Sequence, residues 1–434
     1  MSTAAPTSLS HGLWAASAPP APDAPPLQGH RAVDVAIVGA GYTGLSAALH
    51  LAEGGASALV LEAMDIGFGG SGRNVGLVNA GMWVMPSALP AALGPVHGER
   101  LLDRLGNGPS VVFDLIQRHG IACEASRPGT LHCAVGAGGL RDLAERARQW
   151  QARGAPVELL DADTAAQLTG SRAFSGALLD RRAGTIQPLA YARGLAAVAA
   201  GQGVAIHEQS PATSLQREGQ GWRVRTPDGE VLARHVVLAC GGYLAGLRRR
   251  VDASVLPIAT YVMVTEPLGD RLATVLTTSA AVYDSRFAFD YYRPLPDGRL
   301  LWGGRISVLD RSPAAVERLL VADLLKVFPQ LAGVRIDHAW SGLMSYARHQ
   351  MPQVGEIEPG LWVAQAFGGH GVAPTTFAGD TVAAAIADGD TAWHDLRDYG
   401  LASAVKPAGF LAAQLSYWWA EARDAWKAWS ERGL

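Results

Sequence analysis

The apolar stretch Val33-Asp34-Val35-Ala36-Ile37-Val38 runs into Gly39-Ala40-Gly41-Tyr42-Thr43-Gly44, and this junction restricts the possible folds more than any other part of the chain. A short apolar run that stops at glycine reads as a buried strand, and Ala47, Leu49 and Leu51 carry a helix away from it. Ala58-Leu59-Val60-Leu61 is the next buried strand and delivers an acid, Glu62. The three glycines, at G-x-G-x-x-G spacing, have separate roles in such a βαβ unit. Gly39 permits the tight turn, Gly41 lets the backbone approach a pyrophosphate, and Gly44 lets helix and strand pack closely. The helix start at Tyr42 and Thr43 then faces the phosphates with unpaired N–H groups, and Glu62 can accept from ribose hydroxyls. The expectation is a dinucleotide site in a parallel α/β sheet.

A chain of 434 residues is too long for one ordinary core, so two or more domains are expected. With 49% hydrophobic and 17% charged residues it reads as a well-buried globular protein, and a net charge of −3 gives no reason to expect nucleic acid or an anionic membrane as partner. Lysine is confined to Lys326, Lys406 and Lys427, leaving few candidates for a Schiff-base or general-base amine. Cys123, Cys133 and Cys240 form no C-x-x-C pair and no cluster at metal spacing, so no metal site and no disulfide framework are expected. Residues 1–30 lack a cationic segment followed by an apolar one and read as an N-terminal arm rather than a signal peptide. No apolar run approaches the roughly 20 residues of a membrane span. A cytoplasmic setting is expected.

After the opening unit, Gly67-Phe68-Gly69-Gly70-Ser71-Gly72-Arg73-Asn74-Val75-Gly76 is too rich in glycine for the interior of a strand or helix. Residues 98–120 and 138–152 read as amphipathic helices, with a buried strand at residues 129–135 between them. Val236-Val237-Leu238-Ala239-Cys240-Gly241-Gly242 resumes the nucleotide-binding sheet, and strands dominate from Val255 to about Arg305. Near the end, Leu361-Trp362-Val363-Ala364-Gln365-Ala366-Phe367 leads through Gly368-Gly369-His370-Gly371 into a helix that repeats the logic of the opening. Two glycine turns feeding two helix N-termini suggest one ligand held at two places.

These motifs, in this order, resemble the flavin-dependent amine and amino-acid oxidoreductases of the D-amino-acid oxidase superfamily, most nearly the branch containing γ-glutamylputrescine oxidase. The likeness covers about residues 10–390. It rests on the opening fingerprint, Ser71-Gly72-Arg73-Asn74-x-Gly76, Gln187-Pro188-Leu189-Ala190-Tyr191, Val237-Leu238-Ala239-Cys240-Gly241-Gly242, the run Tyr291-Tyr292-Arg293-Pro294 through Arg305, and Phe367-Gly368-Gly369-His370-Gly371-Val372. The resemblance implies an α/β fold: a glutathione-reductase-like FAD-binding Rossmann domain over 31–85, 155–250 and 340–390, and an α+β substrate domain with a mixed or antiparallel sheet over 86–154 and 251–339. Residues 391–434 are left as a C-terminal helical tail.

The resemblance further implies FAD, with its diphosphate at Gly39, Gly41, Tyr42, Thr43 and Gly44, its adenosine ribose at Glu62 and its adenine at the Ala212 backbone. Ser71, Gly72, Arg73, Asn74 and Gly76 are placed beside the isoalloxazine ring, Cys240 and Gly241 near the cofactor, and Gly368, Gly369, His370, Gly371 and Val372 at the pyrimidine end. A helix starting near Pro374 would stabilise negative charge there. Related sarcosine-oxidase-like enzymes carry a carboxylate-gripping lysine where this chain has Ala373, an oxygen-assisting lysine where it has Leu301, and a histidine where it has Arg305. The segment that supplies a flavin-linking cysteine in those enzymes matches Gly342-Leu343-Met344-Ser345-Tyr346, which has none, so FAD is expected to be non-covalent.

His370, Arg305 and Asn74 are the candidate catalytic residues, each weighed against turn packing or a surface role. Arg305 could hold a substrate carboxylate bidentately. Trp83, Tyr292 and Tyr346, with Tyr291, are candidate substrate walls, core packing being as good a reading for each. Cys240 reads as a small buried residue rather than a nucleophile. The expected substrate is a small amine or amino acid, with O2 or an electron carrier as acceptor; a non-catalytic FAD-binding protein is the alternative. In the tail Leu411, Leu415, Trp418, Trp419, Ala422 and Trp426 share one helical face, which reads as docking on this chain or on a second protomer in a homo-oligomer, ahead of a membrane surface.

Overall fold

Two eight-stranded sheets organise the computed structural model, which describes residues 10–286, 290–309 and 311–430. The first is the nucleotide sheet. Its strand Gly29–Val38 pairs in parallel with Ala58–Leu61 on one side and Gly229–Leu238 on the other, and Leu361–Gln365 and Ala205–His207 extend it in parallel. Parallel strands must be covered on both faces, which is why Val35, Ala36, Ile37 and Val38 are all buried instead of alternating. The helices Tyr42–Glu53 and Val372–Asp388 cover one face together, and they approach closely enough that a Cβ on Gly379 would stand 2.5 Å from the Thr43 carbonyl oxygen.

The second sheet runs in the order Ile336–Ala347, Val255–Thr265, Leu300–Ser307, Tyr291–Pro294, Ala281–Asp284, Thr130–Ala134, Gly176–Asp180, Val157–Leu160. It is antiparallel except where Ala281–Asp284 meets Thr130–Ala134. Its core, including Tyr261, Met263, Trp302, Leu320 and Phe328, is separate from that of the nucleotide domain. This arrangement corrects the domain boundaries. Val157–Leu160 and Gly176–Asp180, expected in the nucleotide domain, complete the substrate sheet, as does Ile336–Ala347 across residue 340. Short strands flanked by turns carry no local mark of which sheet they will join.

The N-terminal arm is part of the body. Trp14 is buried against Trp340, and the two indole N–H groups donate to the backbone carbonyls of Asn74 and Arg73, each at 2.9 Å. The C-terminal helix Ala408–Ser430 reverses the expectation of docking on this chain. Gln414 anchors it by accepting from Ser307 Oγ at 2.9 Å and Val308 N at 3.1 Å, while Leu411, Leu415, Trp418, Trp419 and Trp426 are 52% to 67% exposed. Among the described residues, Ala420 is the other side chain that this helix buries. The Trp429 side chain lies outside the described residues. Among the described residues no helix is long and apolar enough to cross a membrane.

Candidate active site

A cavity of roughly 1550 Å3 lies between the two sheets. Single-ligand pockets run to about 300–1,000 Å3, so this one has room for a dinucleotide together with a small second ligand. On the nucleotide side it is lined by Gly39, Gly41, Tyr42, Thr43, Glu62, Ala212, Cys240 and Gly241. The helix Tyr42–Glu53 starts there at Gly41 with no side-chain cap, and a Cβ on Gly41 would stand 2.9 Å from Ser71 Oγ. Glu62 accepts from the Ala40 N–H at 2.8 Å and the Met64 N–H at 3.0 Å, and burial raises its pKa against those bonds.

Gly44 faces the strand, not the cavity: a Cβ there would lie 2.0 Å from the Gly39 carbonyl oxygen. Gly72 and Gly76 are likewise packed inside the loop, against the Gly67 and Ile186 carbonyl oxygens. All three shape the site without lining it.

The loop from residue 67 to 76 is held by its own side chains. Asn74 Nδ2 donates to the Gly70 and Ser71 carbonyls, each at 2.9 Å, and its Oδ1 accepts from the Gly76 N–H at 2.8 Å. Its amide is therefore spent on the loop and, at 3.3 Å, on the Tyr42 hydroxyl, although Asn74 borders the cavity. Arg73 is 1% exposed, lies over the Phe68 ring at 4.2 Å and donates to the carbonyls of Phe68 and Ser10. Arg293 supports the same loop, donating to Val75 O and Ile186 O at 2.8 Å each.

Gly368, Gly369, His370, Gly371 and Val372 line the cavity where the strand Leu361–Gln365 gives way to the helix Val372–Asp388. Positive φ at Ala366 and Gly368 makes this turn. The helix begins at Val372 with Gly371 as its N-cap, two residues before the expected start near Pro374, again with no side-chain cap. His370 sits edge-on to Tyr283, ring centres 6.0 Å apart, and Tyr283 stacks on His132 at 4.3 Å. Burial, reinforced by the Arg146 guanidinium, pulls the His370 pKa down to about 4, so the imidazole is neutral at ordinary pH. Trp83 and Tyr346 also line the cavity.

Tyr292 does not. It is buried in the substrate-domain core, stacked on Trp302 at 4.6 Å and edge-on to Phe328, because alternation along Tyr291–Pro294 turns Tyr291 to the cavity and Tyr292 away. Arg305 reaches the cavity from a β-bulge: Thr260 pairs with Ile306 and Tyr261 with Gly304, leaving Arg305 as the extra residue at φ 57°. Its Nε and Nη2 donate to Asp323 at 2.7 and 2.8 Å, so the bidentate face expected to meet a substrate is already occupied by a carboxylate. Cys240 donates to Val38 O at 3.2 Å, and burial pushes its thiol up to about 12, which leaves no thiolate to attack anything.

Residues 34–385 match the DAO family model, described as FAD dependent oxidoreductase. The chain belongs to that family. It is 38% identical over 354 residues to a gamma-glutamylputrescine oxidoreductase of Escherichia coli, covering 81% of this chain and 82% of that protein. A glycine oxidase of Geobacillus kaustophilus is 27% identical over 396 residues, 88% of this chain and 99% of the other. The crystal structure of glycine oxidase from that species superposes with a TM-score of 0.72 at 24% identity, covering 86% of this chain and 99% of that one.

The geometry fits the cofactor of this FAD-dependent family. Two helix N-termini with glycine N-caps, Gly41 and Gly371, open into one cavity; the Tyr42 N–H donates to Ser71 Oγ at 3.1 Å, and the other first-turn N–H groups are ones an anionic ligand can satisfy. Sequence reasoning missed the substrate-domain wall of this flavoenzyme: His132, Tyr283 and Arg146. Arg146 is one arginine on an amphipathic helix, and nothing in its local sequence marks it as facing inward. The same holds for Trp14, whose support of the loop depends on contacts across 60 residues of chain.

Proposed function

We propose that this flavoenzyme oxidises the C–N bond of a small amine or amino acid. The observation that carries the reading is the continuity of one cavity from the helix starts at Gly41 and Gly371 to a substrate-domain wall of aromatic, imidazole and guanidinium side chains, Tyr283, His132 and Arg146. The names of its relatives, a gamma-glutamylputrescine oxidoreductase and a glycine oxidase, support the same chemistry. FAD, when bound without a covalent link, supplies the two-electron acceptor: hydride leaves the carbon next to nitrogen, and the resulting imine is hydrolysed to a carbonyl and an amine.

The protein's own contribution is placement and electrostatics. Asn74, Arg73, Trp14 and Trp340 fix the glycine loop, and the positive end of the Val372–Asp388 helix stabilises negative charge that develops in the cavity. Neutral His370 lines the substrate space without repelling a cationic amine, and can offer one hydrogen bond to it. A substrate bound as the free amine needs no separate base.

Oxygen is the proposed acceptor, with hydrogen peroxide as product. Electron delivery to a carrier is the second reading, and one observation favours it: Leu301 is sealed in an apolar cluster with Val75, Leu189 and Val262, so no charge stands at that point to assist oxygen. Anaerobic bleaching of the yellow flavin band across a panel of primary amines, N-alkyl amino acids and cyclic imino acids tests the proposal. Bleaching by at least one class is expected; purified protein that holds no flavin and cannot be reconstituted with FAD would overturn it. Oxygen uptake compared with dye reduction under argon separates the two acceptors.

A further inference from the structure

The helix Gly136–Gln151 turns Arg146 into the cavity, where Nη1 donates to the carbonyls of Met82 and Val84 at 3.0 Å each and Nη2 to that of Trp83 at 2.7 Å. Those three bonds lock the guanidinium in place but do not neutralise it, because carbonyls carry only partial charge. Arginine has five N–H donors, and the two left over, one on Nε and one on Nη2, are the pair a carboxylate bridges.

No protein carboxylate takes that position among the described residues. Of the other arginines on that side of the cavity, Arg305 is paired with Asp323 and Arg286 with Asp284 and Asp290, while Arg348 is exposed to solvent. Near Arg146, Asp180 is held by Arg182 at 2.6 Å; Asp142, one turn back on the same helix, borders the cavity and its charge acts on Arg146, but it makes no ion pair with the guanidinium. On the loop that Arg146 grips, the Trp83 indole N–H is also buried without an acceptor. A half-buried cation and an orphaned donor on one wall leave a place for an anion that the protein does not supply.

We propose that Arg146 binds a carboxylate of the substrate, so that the enzyme selects amines that carry a carboxylate over otherwise similar neutral amines. The inference rests on the amine-oxidising reading and gives it a specificity determinant that Arg305, committed to Asp323, does not provide.

The test is equilibrium binding to the FAD-loaded enzyme under argon, followed by calorimetry, for two pairs of probes: 5-aminopentanoate against 5-aminopentanamide, and proline against prolinamide. Wild type is expected to bind the acid of at least one pair about tenfold tighter than its amide, the strength of one charge-assisted contact. In Arg146→Met that preference falls below about threefold, and Arg146→Lys, which keeps the charge but not the fork, lies between. Equal binding of acid and amide by wild type in both pairs overturns the proposal even if the variants do not fold, and so does a preference that survives in folded Arg146→Met. Flavin bleaching in the same samples reports separately on the oxidation reading: discrimination without bleaching by any amine sinks that reading and leaves Arg146 as an anion site.

Discussion

The two sides of the cavity are built by different means. On the nucleotide side the functional groups are mostly backbone: the turn at Gly39, the open approach at Gly41, the helix start at Tyr42, and one acid, Glu62, all within a short stretch of chain. On the substrate side they are side chains carried by elements far apart in sequence, with His132 on one strand, Arg146 on a helix, Tyr283 on another strand and His370 in a glycine turn. A backbone-built site tolerates no added bulk but little depends on which apolar residues surround it. A site built from side chains can change its ligand by single substitutions while the fold stays the same.

The comparison can be broken most easily at Gly44. Gly44→Val places a Cβ 2.0 Å from a backbone oxygen that cannot move aside, and should cost about 3 kcal/mol or more and yield colourless protein. The ratio of flavin to protein absorbance checks it; a yellow, normally melting variant would remove the packing argument. Next in size is Asn74→Ala, which strips the loop of its internal amide. A loss of about 1–3 kcal/mol in urea unfolding is expected, together with weaker FAD retention, while turnover at saturating FAD changes little. Turnover that collapses while FAD binding holds would return Asn74 to the chemistry.

A smaller effect tests the substrate side through pH. The unfolded chain protonates His370 near 6.5, whereas burial and the Arg146 charge delay protonation in the folded protein to about 4. The unfolded state therefore binds one more proton between those values. Stability is complete above about pH 6.5 and declines as pH falls towards 4. His370→Asn should remove about one proton from that slope and leave flavin content intact, whereas His11, lowered to about 4 by its own burial, and His132, pushed well below the ordinary value by burial, keep contributing to it. An unaltered slope in the variant would mean that His370 is as well hydrated as a surface imidazole. The smallest effect belongs to Tyr292→Phe. The hydroxyl is buried without a partner, so its removal should shift stability by no more than about 0.5 kcal/mol and leave KM for the substrate unchanged. A rise in KM would bring Tyr292 back to the wall.

How much could be seen in the sequence follows from the same contrast. The strand Gly29–Val38, its glycine turn and Glu62 were legible because their chemistry is local: a run, a spacing and an acid at its end. The turn at residues 368–371 was legible for the same reason. Arg305 and Tyr292 were on the correct strands with the wrong surroundings, because a bulge and the alternation of a two-sided strand decide where each side chain goes. The C-terminal helix was assigned its period but the opposite face, since periodicity finds a stripe without saying which stripe meets the body.

The sequence by itself determined the fold class, the dinucleotide end of the cavity and the family whose cofactor it fits, because helix starts, glycine turns and buried strands are written in neighbouring residues. Only the tertiary structure decided that Asn74 serves its loop, that Arg305 is taken by Asp323, and that Arg146 faces the cavity with two donors to spare. Those outcomes depend on which side chains from distant elements compete for the same few ångströms, and that competition is settled when the two sheets pack, not by any residue's immediate neighbours.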